Sequence, residues 1–432
     1  MNCPGQCDFA PPRPELIVAP KEVDDDVCRI PQANREFGTY RGEYSTAFPF
    51  ERENIMPDQD VSLLVVPIDW SNHRGTAENL KREFDQVKTF MDLYSTMSEG
   101  RLTFSPTFAG SGRKWYRLPE PIENYPQQWT SDFNSKVAQH AIDAIDPEID
   151  FSTVDLMILV FPDNPPIPTT KHLEFGFASM QHFNRGGSPQ DPRNVFSDEG
   201  WVRNYVGGAG FFDHPARPVW SYYVHEVAHT LRVPDWYMRE ANLGADFIPG
   251  LDYAVGPMNY WDAMSSQDGP SRTFSAWTRW LVGWLGDERV ACFELDQVLK
   301  HGAFDVELVP LDVYGPGVKA VMIRTGSHAG LVIESRRAVF PDHDLVKWRE
   351  YGREPAGLVV YRVDATKGNS SGTLILVPPQ GQGVVRLQLS ERMDPRVIDA
   401  LYNVGAVGYS QGLRIELVSS GSRDVVRISP AS

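Results

Sequence analysis

Near residue 290 the chain changes the spacing of its apolar residues, and no other feature limits the possible folds so strongly. Before that point, strand-length apolar runs alternate with helix-period segments. Val61 to Ile68 reads as a buried strand. Residues 77–98 carry Leu80, Phe84, Val87, Met91 and Tyr94 on one helical stripe, and Gly100 closes that helix. A strand follows at 101–108, a helix at 135–145 and a buried strand at 154–161. The alternation predicts an α/β sheet. Residues 162–215, rich in Pro, Gly, Asn and Asp, are expected to be loop. Helices are expected at 218–232 and 273–285.

After about 290 only short apolar runs recur, many alternating with polar residues and separated by turn residues. Examples are Leu331 to Glu334, Gly357 to Val363, Thr373 to Val377 and Leu413 to Val418. This spacing predicts an antiparallel β-sandwich. At 432 residues the chain exceeds one ordinary core. The division expected is an extended leader at 1–55, an α/β domain at 56–290 and a sandwich at 291–432. The absence of a Gly/Ser/Pro linker near 285–300 predicts that the last two pack tightly.

Composition removes some partners. A formal net charge of −16 disfavours nucleic acid and anionic membrane surfaces. No apolar run approaches the roughly 18 residues of a membrane span. The first residues have neither the basic nor the apolar region of a signal peptide, which leaves the compartment open on composition. Cys3, Cys7, Cys28 and Cys292 permit three full pairings. A disulfide from the N-terminal group would clip that segment to the body in an oxidising compartment, and free thiols are the other reading.

The chemistry concentrates in His225-Glu226-Val227-Ala228-His229. On a helix, residues four apart share a face, so both imidazoles can reach one ion. Glu226 stands beside the first histidine without being a ligand, the place for a base that takes a proton from water activated by zinc. Such an ion needs a third protein ligand and an open position. Asp235, directly after the helix-stopping Pro234, is preferred, and Glu240 is the alternative. Downstream, Met264 sits in Tyr260-Trp-Asp-Ala-Met-Ser-Ser, the setting of a methionine turn beneath a metal. The residues thus point to a zinc-dependent endopeptidase acting on protein or peptide substrates. A secreted binding or adhesion protein with a structural or degenerate metal site is the alternative, favoured by the β-rich C-terminal third and eleven tryptophans. Glu226 discriminates between them, because a purely structural site needs no base.

Several blocks in order resemble the immune inhibitor A-like (M6) metallopeptidases. They are Leu93 to Phe104, Lys114 to Pro119, Trp261 to Ser266, Phe274 to Leu285, Leu331 to Arg337 and Gly357 to Asp364, spread over about 60–365. The resemblance implies a secreted enzyme with a metzincin-like zincin domain, His225, His229 and Asp235 on zinc, and Glu226 as base. It also implies structural calcium, for which Asp24, Asp25, Asp26, Asp342 and Asp344 are candidates. The family pattern has glycine three residues after the second histidine, whereas this chain has Arg232. A left-handed turn there is strained for arginine, whose side chain is expected to point outward.

Overall fold

The run from Asp60 to Asp69 (β1) is apolar at almost every position because both of its faces are covered. Leu63 and Val65 face one core, while Leu64, Val66 and Ile68 face another. In the computed structural model of the protein, residues 15–33, 44–51, 55–125, 131–162, 177–180, 194–208, 218–238, 258–266, 271–340, 342–381, 384–386 and 396–431 are described. The two flanking helices of β1 are Ala77–Met97 (α1) and Ser131–Ile145 (α2). A reciprocal capping box between Thr76 and Asn79 starts α1 and fixes its first turn.

The first sheet runs β2-β1-β3-β5-β4, where β2 is Thr103–Phe108, β3 Leu156–Val160, β4 Phe177–Met180 and β5 Asn204–Gly208. All its neighbours are parallel except β4 against β5. The expected loop at 162–215 therefore contributes two strands to this sheet and a separate hairpin, Val195–Ser197 with Gly200–Val202. Tyr205 and Val206 are buried beside β3, and pairing with an existing sheet overrides weak local strand preference.

On the α1 side of this sheet lies the helix Val219–Thr230 (α3), every residue of which is buried. Beyond it is the short helix Ala276–Val282 (α4), ended by Gly283 at φ 87°. The 273–285 helix expected from sequence is thus cut at both ends, by the Ser275 cap and by Gly283.

Past residue 290 come two further sheets. One runs β11-β10-β9-β8-β6, from β6 (Val290–Glu294), β8 (Ala320–Gly326), β9 (Ala329–Arg337), β10 (Ala356–Asp364) and β11 (Leu374–Leu376). The other runs β7-β14-β13-β12, from β7 (Phe304–Leu308), β12 (Val407–Ser410), β13 (Leu413–Ser419) and β14 (Asp424–Pro430). Val321, Ile323, Leu331, Ile333 and Val360 pack with Phe304, Leu308, Ile415 and Ile428 from the facing sheet. The expectation of purely antiparallel pairing fails at one place: β6 and β8 are parallel. The chain leaves β6 through a helix and β7 before returning as β8, a crossover rather than a hairpin.

The opposite face of that sheet joins the core containing α3. Met322, Val332, Val359 and Tyr361 share one cluster with Val224, Trp261 and Trp277. The described N-terminal residues also enter it. Cys28 and Ile30 are fully buried, and Cys28 forms a disulfide with Cys292. The early segment expected to lie along the surface is therefore partly interior, while Cys3 and Cys7 fall outside the described residues.

Candidate metal centre

Helix α3 stops where the candidate site begins. Val233 N–H reaches back to Ala228 O at 3.0 Å, and Arg232 N–H to His229 O at 2.9 Å. Arg232 itself adopts φ 66°, the left-handed conformation for which glycine is suited. The turn is thus made with arginine at a cost of about 1–2 kcal/mol. Its side chain does not point outward as expected. It is 1% exposed and pairs with Glu51 at 3.0 Å.

The reversal carries Asp235 back over the helix. Asp235 Oδ1 lies 3.2 Å from His225 Nε2 and 3.2 Å from His229 Nε2. These three ligand atoms lie within 4.8 Å of one another, the only such His/Cys/Asp/Glu group among the described residues that could hold a metal ion. The acidic residues raised for calcium form no such group there. Asp342 is occupied by Arg336 at 2.9 Å, Ser271 and the Arg272 amide. Asp24 to Asp26 cap and open a short helix. Glu240 lies outside the described residues, as does the side chain of Asp344.

Each imidazole is oriented from behind. His225 Nδ1 is 2.9 Å from Ala263 O, and His229 Nδ1 is 2.9 Å from Val233 O. Carbonyls only accept, so the hydrogen sits on Nδ1 and the Nε2 lone pair faces inward. Three acceptors then converge with no donor among them, an arrangement relieved by a proton shared among them or by a metal ion. With protons alone, burial pulls the His229 pKa down, but the Asp235 carboxylate outweighs it and lifts it to about 9. Burial pushes Asp235 up, but His229 and His225 more than reverse this and hold it well below the usual carboxylate range.

Glu226 projects from the same helix. Burial raises its pKa, the two histidines oppose that rise, and Asp235 adds to it. A hydrogen bond with the Tyr222 side chain also opposes the rise.

Two supports were not legible in the sequence. Asp235 N–H donates to Asn369 Oδ1 at 2.7 Å, its carbonyl accepts from Ser370 N at 3.1 Å, and its Oδ2 accepts from Ser370 Oγ at 3.2 Å. Asn369 and Ser370 lie in the β10–β11 loop, more than 130 residues away along the chain. The other support is Asp262. Its fully buried carboxylate accepts from Met264 N and Ser275 N, each at 2.7 Å, and from Thr278 Oγ1 at 2.9 Å. This closes the turn through Met264, whose backbone serves the site directly: Ala263 O holds His225, and Met264 O accepts Trp236 N–H beside Asp235. The Trp-Asp-Ala-Met block was visible in sequence, but the aspartate's partners at Ser275 and Thr278 are set only by the fold.

No protein-family model matches the chain, and no curated protein matches it. Among solved structures it is similar to wild-type OgpA from Akkermansia muciniphila, at 11% identity and a TM-score of 0.31, over 89% of this chain and 97% of that one. It is also similar to catalytically inactive OgpA from the same organism in complex with an O-glycopeptide (glycodrosocin) substrate, at 10% identity and a TM-score of 0.30, over 76% and 94%. Superpositions this loose do not establish a common fold.

Proposed function

We propose that the protein is a zinc-dependent endopeptidase of the immune inhibitor A-like kind, with His225, His229 and Asp235 as zinc ligands and Glu226 as general base. One observation carries the reading: three acceptor atoms from a helix and its reversed exit converge, with a carboxylate beside them that is not among the three. Zinc bonds of about 2.0–2.1 Å in a tetrahedron imply ligand atoms about 3.3–3.4 Å apart. The two Nε2–Oδ1 separations of 3.2 Å suit that ion. Three protein ligands leave the fourth corner for water, the mark of a catalytic rather than a structural site. When bound, zinc supplies the Lewis acidity that makes water nucleophilic near neutral pH.

The chain's own residues do the rest. The Ala263 and Val233 carbonyls hold the imidazoles in one tautomer and orientation. The buried Glu226 carboxylate takes the proton from the attacking water and passes it to the leaving amine. The metzincin-like zincin domain with a β-sandwich behind it belongs to the same proposal. It is supported by the helix, reversed turn and Met264 turn in that order. Secretion is supported by the Cys28–Cys292 disulfide, since such bonds persist mainly in oxidising compartments. No helix among the described residues is long and apolar enough to cross a membrane.

The test is Glu226→Gln. It should retain zinc at wild-type stoichiometry and lose peptide hydrolysis by about 10²–10⁴-fold. Unchanged turnover of a casein-type substrate would remove the mechanism.

A further inference from the structure

The structure leaves one question about Arg232. A glycine would make the same turn without strain, yet the turn carries a buried guanidinium whose charge acts on Tyr44, the same ring that feels Asp235 and Glu226. The answer lies in residues 44–51. This strap crosses beside the site: the Tyr44 ring lies 5.6 Å from that of His229, centroid to centroid. Thr46 is tied on both sides, its hydroxyl donating to Lys367 O at 2.9 Å and its carbonyl accepting from Trp277 Nε1 at 3.2 Å. Phe48 packs edge-on against Trp277 and Trp280, and its backbone pairs with Ile30 and Gln32. The strap thereby delivers Glu51 to Arg232, with Oε2 to Nη1 at 3.0 Å.

We propose that Glu51 is a positioning residue for the metal centre, neutralising Arg232 so that the left-handed turn can present Asp235 to a cation. The proposal rests on the zinc reading above. In a buried site an unpaired charge acts over several ångströms with little screening. Removing the Glu51 charge therefore takes away one negative charge that compensates Arg232 near the site and loosens the turn. The arginine fastens the strap, and the strap's glutamate makes the arginine compatible with metal.

A double-mutant cycle tests this on metal affinity rather than activity. Zinc binding to the folded apoprotein is measured by competition with a chromophoric chelator, with the apoprotein melting temperature recorded for each variant. Glu51→Gln should weaken zinc by about tenfold or more, in the range seen for second-sphere losses. Arg232→Gly/Glu51→Gln should return to within about threefold of wild type. Arg232→Gly alone should bind at least as tightly as wild type. Glu51→Asp, which keeps the charge, should stay closer to wild type than Glu51→Gln. A purely structural strap would lower the melting temperature of Glu51→Gln without shifting zinc affinity, and that result overturns the proposal. So does a double variant as weak as Glu51→Gln, or, should Glu51→Gln fail to fold, weakened binding in Arg232→Gly. If wild type binds no zinc while His225→Ala behaves identically, the reading of the whole site fails with it.

Discussion

Asp235 is the residue on which the zinc reading turns, because its carboxylate oxygen lies 3.2 Å from two imidazole nitrogens that present lone pairs, and only a proton or a metal ion between them relieves the contact of acceptors. Without metal, the Asp235 carboxylate outweighs burial and lifts His229 to about 9. Metal binding would therefore compete with that proton. Asp235→Asn keeps the side chain's size but replaces one acceptor with a donor or turns it away. Zinc affinity should fall by more than the about 10–100-fold typical of losing only a supporting hydrogen bond. Chelator competition reads this directly, and an unaltered affinity would mean that the carboxylate is not a ligand. His225→Ala and His229→Ala should each abolish stoichiometric zinc, measured by elemental analysis of the purified variants.

At the level of elements, the site is where three segments distant in sequence meet. Helix α3 supplies the imidazoles, the Asp262 turn holds that of His225, and the β10–β11 loop holds Asp235. The loop's part is the unexpected one, since it belongs to the β-rich half. Asn369→Ala removes the 2.7 Å acceptor of the Asp235 amide. Leaving that buried donor unsatisfied costs about 1–3 kcal/mol. The expected outcome is zinc affinity reduced by about 10–100-fold, with hydrolysis falling in step. If Asn369→Ala loses stability but binds zinc as wild type does, the loop supports the fold and not the metal.

For the molecule as a whole, one core runs from α3 through Trp277 into the sheet that carries Val332 and Tyr361. A shared core of this kind couples the unfolding of the halves. Calorimetry should give a single transition, and limited proteolysis should release no soluble fragment beginning near residue 291. The Cys28–Cys292 bond closes a loop of 264 residues and ties the segment whose Ile30 and Gln32 pair with the strap to the same core. Its removal in Cys28→Ser/Cys292→Ser should lower stability by about 2–5 kcal/mol. The comparison of denaturant midpoints between variant and wild type checks this, and equal midpoints would show that the strap is held without it.

Local spacing alone was enough for α1, β1, β3 and α3, because each is a single period of apolar residues with a cap or a breaker at its end. It was also enough to single out His225, Glu226 and His229, whose common face follows from 3.6 residues per turn. Asp235 was legible as a preference, since Pro234 announces the break but not the direction the chain takes after it. Strands β4 and β5 were not legible, because four residues of Phe-Ala-Ser-Met and a run ending in Gly-Gly become strands only when a neighbouring strand is offered to them. The parallel pairing of β6 with β8 was equally hidden, since spacing records which residues face inward and not the order in which strands meet. Arg232 is the clearest case. Its sequence position foretold a strained turn, but its burial against Glu51 depends on a strap 181 residues away. Charge compensation across that distance is a property of the folded molecule, because only packing fixes which charge comes to lie beside the buried guanidinium.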